Sequence, residues 1–235
     1  TTEIYTLSLH DALPISETLA MTKKSRELKS QGFDVINLSI GEPDFFTPDY
    51  IKEAAKKAID ENYSFYTPVS GYQELREAIC KKLKRDNNLD YTFDQIVVST
   101  GAKQSIANAV LALVNPGEEV IVPAPYWVSY REIVKLAEAK AVYVNATVEN
   151  DFKITPEQLK AAITPKTKLI IYSSPCNPTG SVYTSEELKA IATMLKDYPN
   201  IYIIADEIYE KINFSGQPHA SMAQFDFIKD RVITV

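Results

Sequence analysis

The chain has 235 residues, of which 45% are hydrophobic and 24% are charged, and its net charge is -6. This composition is globular, so it favours neither a disordered chain nor a membrane span, and no stretch approaches the ~20 apolar residues of a membrane-spanning helix. The acidic balance leaves no basic stripe for a nucleic acid. Two cysteines favour a reducing compartment, which we take to be the cytoplasm. Two histidines are too few to indicate a metal site or a Ser/His/Asp triad.

The N-terminal part of the chain contains predicted helices and one short strand. Residues 1–16 show no secretory signal and resemble translated adapter sequence, so we expect a non-native or disordered leader there. Residues 17–30 predict a solvated helix that Gly32 ends. Residues 35–45 predict a short strand that runs into a loop of glycine and proline.

Two further helices are predicted before the pattern changes. The first runs from Pro48 to Glu61, with Thr47 as its cap and Pro48 at the first helical position. The second runs from about Tyr72 to Arg85.

Strands and helices then alternate to the end of the chain. The predicted strands are residues 95–100, 118–123, 140–147, 167–174, 202–206 and 231–235. The predicted helices are residues 101–114, 126–137, 154–163 and 186–196. This alternation indicates an α/β fold, with a mostly parallel, doubly wound sheet and helices on both faces. Its ligand is expected at the carboxyl ends of the strands.

Two strand-end loops could hold an anion and an aromatic group. The turn at Gly101 has small residues that let an anion come close to the backbone, and a new helix begins there. An ordinary tight turn is the alternative. Trp127, the only tryptophan, follows a strand and could stack on a flat cofactor or could simply belong to the core.

Two other strand-end loops carry polar side chains. Asn177 lies between two prolines, and a glycine follows three residues later, so the loop would hold its amide rigidly. A turn without function is the alternative, because it can have the same composition. Asp206 ends an apolar strand, and Tyr209 follows three residues later. Asp206 could face a ligand or could cap a following helix.

Six segments give the chain a specific resemblance, and they occur in this order: IGEPDF, YTPVSGYQELREAI, STGAKQ, PYWVSY, SSPCNPTG and ADEIYE. The chain resembles class I aminotransferases of the pyridoxal-phosphate fold type I superfamily, nearest to the bacterial aspartate aminotransferases, over residues 16–235. The resemblance implies pyridoxal 5'-phosphate as cofactor. It also implies that Asp206 pairs with the pyridine nitrogen, that Tyr209 and Asn177 bind the phenolic oxygen, and that Trp127 stacks on the ring.

The resemblance also implies contacts to the phosphate and to the substrate. Gly101, Ala102 and Lys103 would lie at the phosphate. Tyr66 would reach the phosphate of a neighbouring subunit, which implies a homodimer. Gly41 would bind the substrate carboxylate through its backbone, with Trp127 and Asn177 beside the substrate.

The resemblance predicts two domains and a missing catalytic group. Residues 17–46 would begin the small domain, which is otherwise largely missing, and residues 47–235 would form an incomplete cofactor-binding large domain. The family's Schiff-base lysine is expected beyond Val235, so no catalytic residue is assigned and the chain is interpreted as a truncated, inactive fragment.

The leading functional hypothesis is transamination, by the full-length parent, between an amino acid, with aspartate the expected one, and 2-oxoglutarate. A lyase or synthase that uses the same cofactor and fold is the alternative, because a fold does not determine a reaction. A non-catalytic binding or regulatory domain is the third hypothesis. The partners are small molecules and a second subunit, with no nucleic acid and no membrane.

Overall fold

The structure is a computed structural model that describes residues 17–37, 41 and 45–235. Its residues form two compact units, which divide between Phe65 and Tyr66. The predicted leader at residues 1–16 lies outside the described residues. The predicted domain boundary after residue 46 stays a prediction.

The first unit contains the helices α1, Glu17–Ser30, and α2, Asp49–Asp60. Helix α1 is confirmed, and the chain leaves it through Gly32, whose φ of +88° is in the left-handed region. The strand predicted for residues 35–45 lies largely outside the described residues, and residues 35–37 are irregular.

The predicted start of α2 is wrong. Pro48 has a ψ of 144°, which leaves it outside the helix as the N-cap, and no side chain caps the first turn. Thr47 is therefore not the cap. Pro48 occupies the N-cap position instead of the first helical position, which is Asp49. Its restricted φ suits the entry into a helical turn.

The second unit is an α/β layer structure with a sheet of five parallel strands. Its helices are α3 (Gln73–Asn87), α4 (Ala102–Leu113), α5 (Ser129–Leu136), α6 (Pro156–Ala162) and α7 (Ser185–Met194). Its strands are β1 (Glu119–Ala124), β2 (Lys140–Asn145), β3 (Thr167–Ser173), β4 (Tyr202–Asp206) and β5 (Val232–Thr234). The strand order is β2-β1-β3-β4-β5, and each neighbouring pair is parallel. The predicted fold class is confirmed.

The sheet is buried on both faces because its strands alternate between two hydrophobic clusters. In β4, Ile203 packs into one cluster and Ile204 into the other, and both are fully buried. Helices α4 and α5 cover the side that contains Ile204, with Ile106 and Val134 in its core. Helices α6 and α7 cover the other side, with Leu188 in its core.

The strand predicted at residues 95–100 is wrong. Phe93–Gln95 form a short 3-10 helix, and residues 96–99 belong to no regular element and have no ladder partner among the described residues. The N–H of Val98 instead donates to the carbonyl oxygen of Ser70, 3.0 Å away. The β-branched residues of this segment favour an extended backbone, but a strand also requires a neighbour with which to exchange hydrogen bonds.

Candidate functional site

The strand order creates a crevice at the carboxyl ends of β1 and β3. After β1 the chain turns to β2 on one side, and it later returns to β3 on the other side of β1. This reversal is the topological switch point at which open α/β sheets bind ligands. The loop after β1 carries Trp127, the loop after β3 carries Asn177, and β4 ends at Asp206.

Asp206 is a buried carboxylate at this edge, with 4% of its surface exposed. Its Oδ2 accepts a hydrogen bond from the hydroxyl of Tyr130, which is itself buried on α5. Its Oδ1 accepts only a long bond of 3.4 Å, from the N–H of Ile208. Burial raises the pKa of Asp206, and these two hydrogen bonds oppose the rise without cancelling it.

The interpretation of Asp206 as the cap of a following helix is wrong. Residues 208–211 form turns, and no α-helix starts there. The bond from the Ile208 N–H is the local turn that an aspartate makes with the backbone two residues later. The buried Oδ2 atom is held by Tyr130 in a contact that no helix cap requires.

Tyr130 was not predicted as a site residue. Burial and then the charge of Asp206 raise the pKa of Tyr130 well above its usual value, so its hydroxyl keeps its proton and donates. The two residues are 76 positions apart, and nothing local in PYWVSY distinguishes this tyrosine from a core aromatic. A buried carboxylate that requires a donor is the only signal that could have indicated such a partner.

Trp127 and Lys103 lie next to this pair. The rings of Trp127 and Tyr130 meet edge to face, with centroids 5.6 Å apart. The Lys103 Nζ lies above the Trp127 ring, 5.0 Å from its centroid, in a cation–π arrangement. Trp127 is half-buried, so it is neither a fully enclosed core residue nor a surface one. These contacts form a continuous chain, from Lys103 to Trp127, from Trp127 to Tyr130, and from Tyr130 to Asp206.

The turn before α4 has the geometry of an anion cradle. Gly101 is the N-cap of this helix, with φ +84° and ψ 161°, and no atom outside its chain neighbours lies within 4 Å of where a Cβ would be. Ala102 and Lys103 begin the helix, where backbone N–H groups have no acceptor in a preceding turn. The helix dipole adds to their attraction for an anion.

The loop after β3 is closed by its own backbone. Cys176 donates its N–H to the carbonyl oxygen of Ser181 at 2.9 Å, and Gly180 donates to the carbonyl oxygen of Cys176 at 2.7 Å. The Cys176 Sγ lies 3.7 Å from the Pro125 carbonyl oxygen, which connects this loop to the one after β1. Asn177 is therefore on a closed loop next to the loop of Trp127, and its side chain is half-buried.

The remaining predicted site residues are not brought into this contact chain. Tyr209 is half-buried on the turn after β4, Tyr66 is fully exposed, and Gly41 belongs to the first unit. Their assigned roles stay predictions. Within the described residues, no group of three or more His, Cys, Asp or Glu side chains could hold a metal ion. No described helix is long and apolar enough to cross a membrane.

Comparison with known proteins gives consistent relatives. The family described as "Aminotransferase class I and II" matches residues 34–234. The chain is 51% identical over 220 residues to an aspartate/prephenate aminotransferase of Cereibacter sphaeroides. The matched residues cover 93% of this chain and 55% of that protein. It is 49% identical over 225 residues to the aspartate aminotransferase of Bacillus subtilis, covering 95% of this chain and 57% of that protein.

Solved structures agree with the sequence relatives. The aspartate aminotransferase of Thermus thermophilus with maleate superimposes with a TM-score of 0.89 at 41% identity, covering 95% of this chain and 58% of that one. The chain thus spans little more than half the length of the relatives that it matches. Since the family match extends over most of its residues, the chain belongs to the class I and II aminotransferases.

Proposed function

We propose that this chain forms the pyridoxal 5'-phosphate-binding part of an aminotransferase that moves an amino group between aspartate and 2-oxoglutarate. The observation that carries the proposal is the buried carboxylate of Asp206 at the carboxyl edge of the sheet. Its Oδ2 is held by Tyr130, while its Oδ1 receives only the 3.4 Å bond from Ile208. A buried carboxylate is costly unless a cation or several donors face it.

A protonated pyridine nitrogen is the cation that suits this position. The negative charge of Asp206 would keep that nitrogen protonated, and Tyr130 would hold the carboxylate in one orientation. When bound, the cofactor supplies an electron sink for the carbanion that forms when the substrate loses its α proton. Trp127 would lie against the ring face, and Asn177 and Tyr209 would donate to the phenolic oxygen.

The turn at Gly101 suits the phosphate. Its open Cβ position lets an anion approach the backbone, and Ala102 and Lys103 would donate their N–H groups to it. By the family resemblance, Gly41 would bind the substrate carboxylate. The exposed ring of Tyr66 would reach the phosphate of a second subunit in a homodimer.

The choice of substrate rests on the relatives. Their names specify aspartate and prephenate, and the Thermus thermophilus structure was solved with maleate, a dicarboxylate. We therefore propose a dicarboxylic amino acid as the amino donor. We propose the cytoplasm as its compartment, since both Cys80 and Cys176 are free thiols.

The chain alone is expected to have little transaminase activity, because the family lysine that holds the cofactor covalently is expected beyond Val235. The measurement is transamination of aspartate with 2-oxoglutarate by the purified 235-residue chain. A rate close to that of a complete relative would contradict this expectation.

Cofactor binding tests the proposal directly. Pyridoxal phosphate is titrated into the chain while the fluorescence of Trp127, the only tryptophan, is recorded. We expect binding to weaken by at least about thirtyfold in Asp206→Ala, because a buried ion pair loses one partner. Asp90→Ala, which removes an exposed carboxylate paired with Lys84, is the matched control and should bind normally. Equal affinity of Asp206→Ala and the unaltered chain would refute the proposal.

A further inference from the structure

Tyr209 lies on the turn that follows β4, one residue before Glu210. The turn is tied to the sheet at its first residue, where the Glu207 N–H donates to the Val235 carbonyl oxygen at 2.8 Å. Its other backbone bonds are short-range, from the Glu210 N–H to the Glu207 carbonyl oxygen and from the Ile212 N–H to the Tyr209 carbonyl oxygen. These short-range bonds shape the turn, but they do not fix the direction of the residues that follow Glu207. The residues that follow Tyr209 bind instead to the last turns of helix α3.

Two ion pairs of opposite polarity connect the turn to α3. Glu210 pairs with Lys82, and Lys211 pairs with Asp86 at 3.0 Å. Lys82 and Asp86 are four positions apart, so they lie on the same face of the helix. Because the charges alternate on both sides, a shift of the turn by one residue would bring like charges together. The pairs therefore specify the register of the turn on the helix.

The pair at Glu210 is the less exposed of the two. The two carboxylates are similarly buried, but the Lys82 side chain is 34% exposed and that of Lys211 is 69% exposed, so water and salt screen the Lys211 pair more. Burial works to raise the pKa of the Glu210 carboxyl, but hydrogen bonds from Lys82 and Asn87 outweigh it, and the pKa lies below its usual value.

Asn87 joins the components of this contact. Its Nδ2 donates to Glu210 Oε2 at 2.7 Å, and its Oδ1 accepts from Lys82 at 2.9 Å. Its carbonyl oxygen accepts from Gln224 at 2.8 Å, and the residue is 2% exposed. A buried amide that is satisfied at both ends has one orientation, so Glu210 is held in one place.

We propose that Lys82, Asn87 and Glu210 are positioning residues that orient Tyr209 toward the phenolic oxygen of the cofactor. This inference rests on the proposed function. The side chain of Tyr209 is joined to Glu210 by one peptide unit, so displacement of Glu210 moves the hydroxyl of Tyr209 as well. A donor displaced by even a fraction of an ångström forms a weaker hydrogen bond.

The test is a double-mutant cycle in the full 235-residue chain, with pyridoxal phosphate as the probe. Tyr209→Phe should weaken binding by about tenfold, the loss of one hydrogen bond to an ionised oxygen. It should also lower the fraction of bound cofactor whose phenol is ionised, read from its absorbance spectrum. Lys82→Met and Glu210→Gln should each produce a smaller change in both quantities, in the same direction.

The decisive measurement is Glu210→Gln in the Tyr209→Phe background. We expect no further loss of affinity there, because the bond that Glu210 orients is already absent. The charge reversal that combines Lys82→Glu with Glu210→Lys should restore part of the affinity and spectrum, with the amide of Asn87 turned over, because it re-forms this pair but leaves both turn residues cationic and both helix residues anionic. Lys84→Met is the matched control, since Lys84 is on the same helix and pairs with Asp90.

Three results would overturn the inference. The first is a loss for Glu210→Gln that is equal in both backgrounds, which would mean that Glu210 acts on overall stability. The second is an unchanged affinity and spectrum in both Lys82→Met and Glu210→Gln. The third is an unaltered chain that binds no pyridoxal phosphate, which would refute the proposed function as well; the first two refute the positioning role alone.

Discussion

Replacing Tyr130 with phenylalanine removes one hydroxyl group from the interior, and its effect on stability should depend on pH. The hydroxyl donates to the Asp206 carboxylate, and both residues are buried. A hydrogen bond to an ionised group contributes about 1.5–3 kcal/mol, and one between neutral groups about 0.5–1.5 kcal/mol. The cost of the substitution should therefore lie in the upper range while Asp206 is ionised and in the lower range once it is protonated.

The direction of the pH dependence follows from the pKa of Asp206. Burial raises this pKa in the folded state above its value in the unfolded chain. The contribution of this group to stability is therefore fully present below the unfolded pKa and is lost as pH rises through the folded pKa. Tyr130→Phe removes a bond that lowers the folded pKa, so it raises that pKa further and enlarges the penalty at neutral pH.

The assay is urea unfolding of both chains at neutral pH and at the lowest pH at which the unaltered chain stays folded. Tyr183→Phe is the matched control, because its buried hydroxyl accepts from the Ile154 N–H at 2.9 Å and, in the part of the chain that the structure describes, forms no hydrogen bond with a carboxylate. Its cost should be the same at both pH values. A cost for Tyr130→Phe that is equally independent of pH would refute the reasoning.

Three other substitutions test the backbone, the core and a helix cap, each by urea unfolding. Gly101→Ala should destabilise the chain by about 1–3 kcal/mol, because φ +84° with ψ 161° is a conformation that essentially only glycine adopts; an unchanged midpoint would contradict this. Ile203→Ala should cost about 2–5 kcal/mol, because the side chain is fully buried in β4; a cost below 1 kcal/mol would mean that the site collapses around the smaller residue. Thr184→Ala should cost about 1 kcal/mol, because the Thr184 hydroxyl accepts from the Glu187 N–H at the start of α7; a neutral result would mean that water replaces the cap.

Most elements of the second unit could be predicted because their signals are local. The strand at residues 202–206 is a short apolar run with two isoleucines at its centre, and its predicted bounds are those observed. The helix after Thr184 begins with a capping box, in which Thr184 and Glu187 bind each other's backbone. Such signals act over three or four residues, so a short window of sequence contains them.

The errors have a common physical cause. Residues 95–100 have strand-forming side chains, yet they form no strand, since pairing depends on a neighbour that the segment cannot specify. Asp206 has the local character of a helix cap, yet turns follow it, and its main partner is Tyr130 on another element. In each case a contact between distant residues decided between two local conformations that are close in energy.

The sequence by itself determined the alternation of strands and helices, the family and the loops that carry polar residues. Only the tertiary structure decided which of those residues meet: Lys103 lies on Trp127, and Tyr130 binds Asp206. It also decided that α3 holds the turn of Tyr209 through Glu210. The reason is that periodicity and turn chemistry act along the chain, whereas the donor for a buried carboxylate is selected by the packing of segments that lie far apart in sequence.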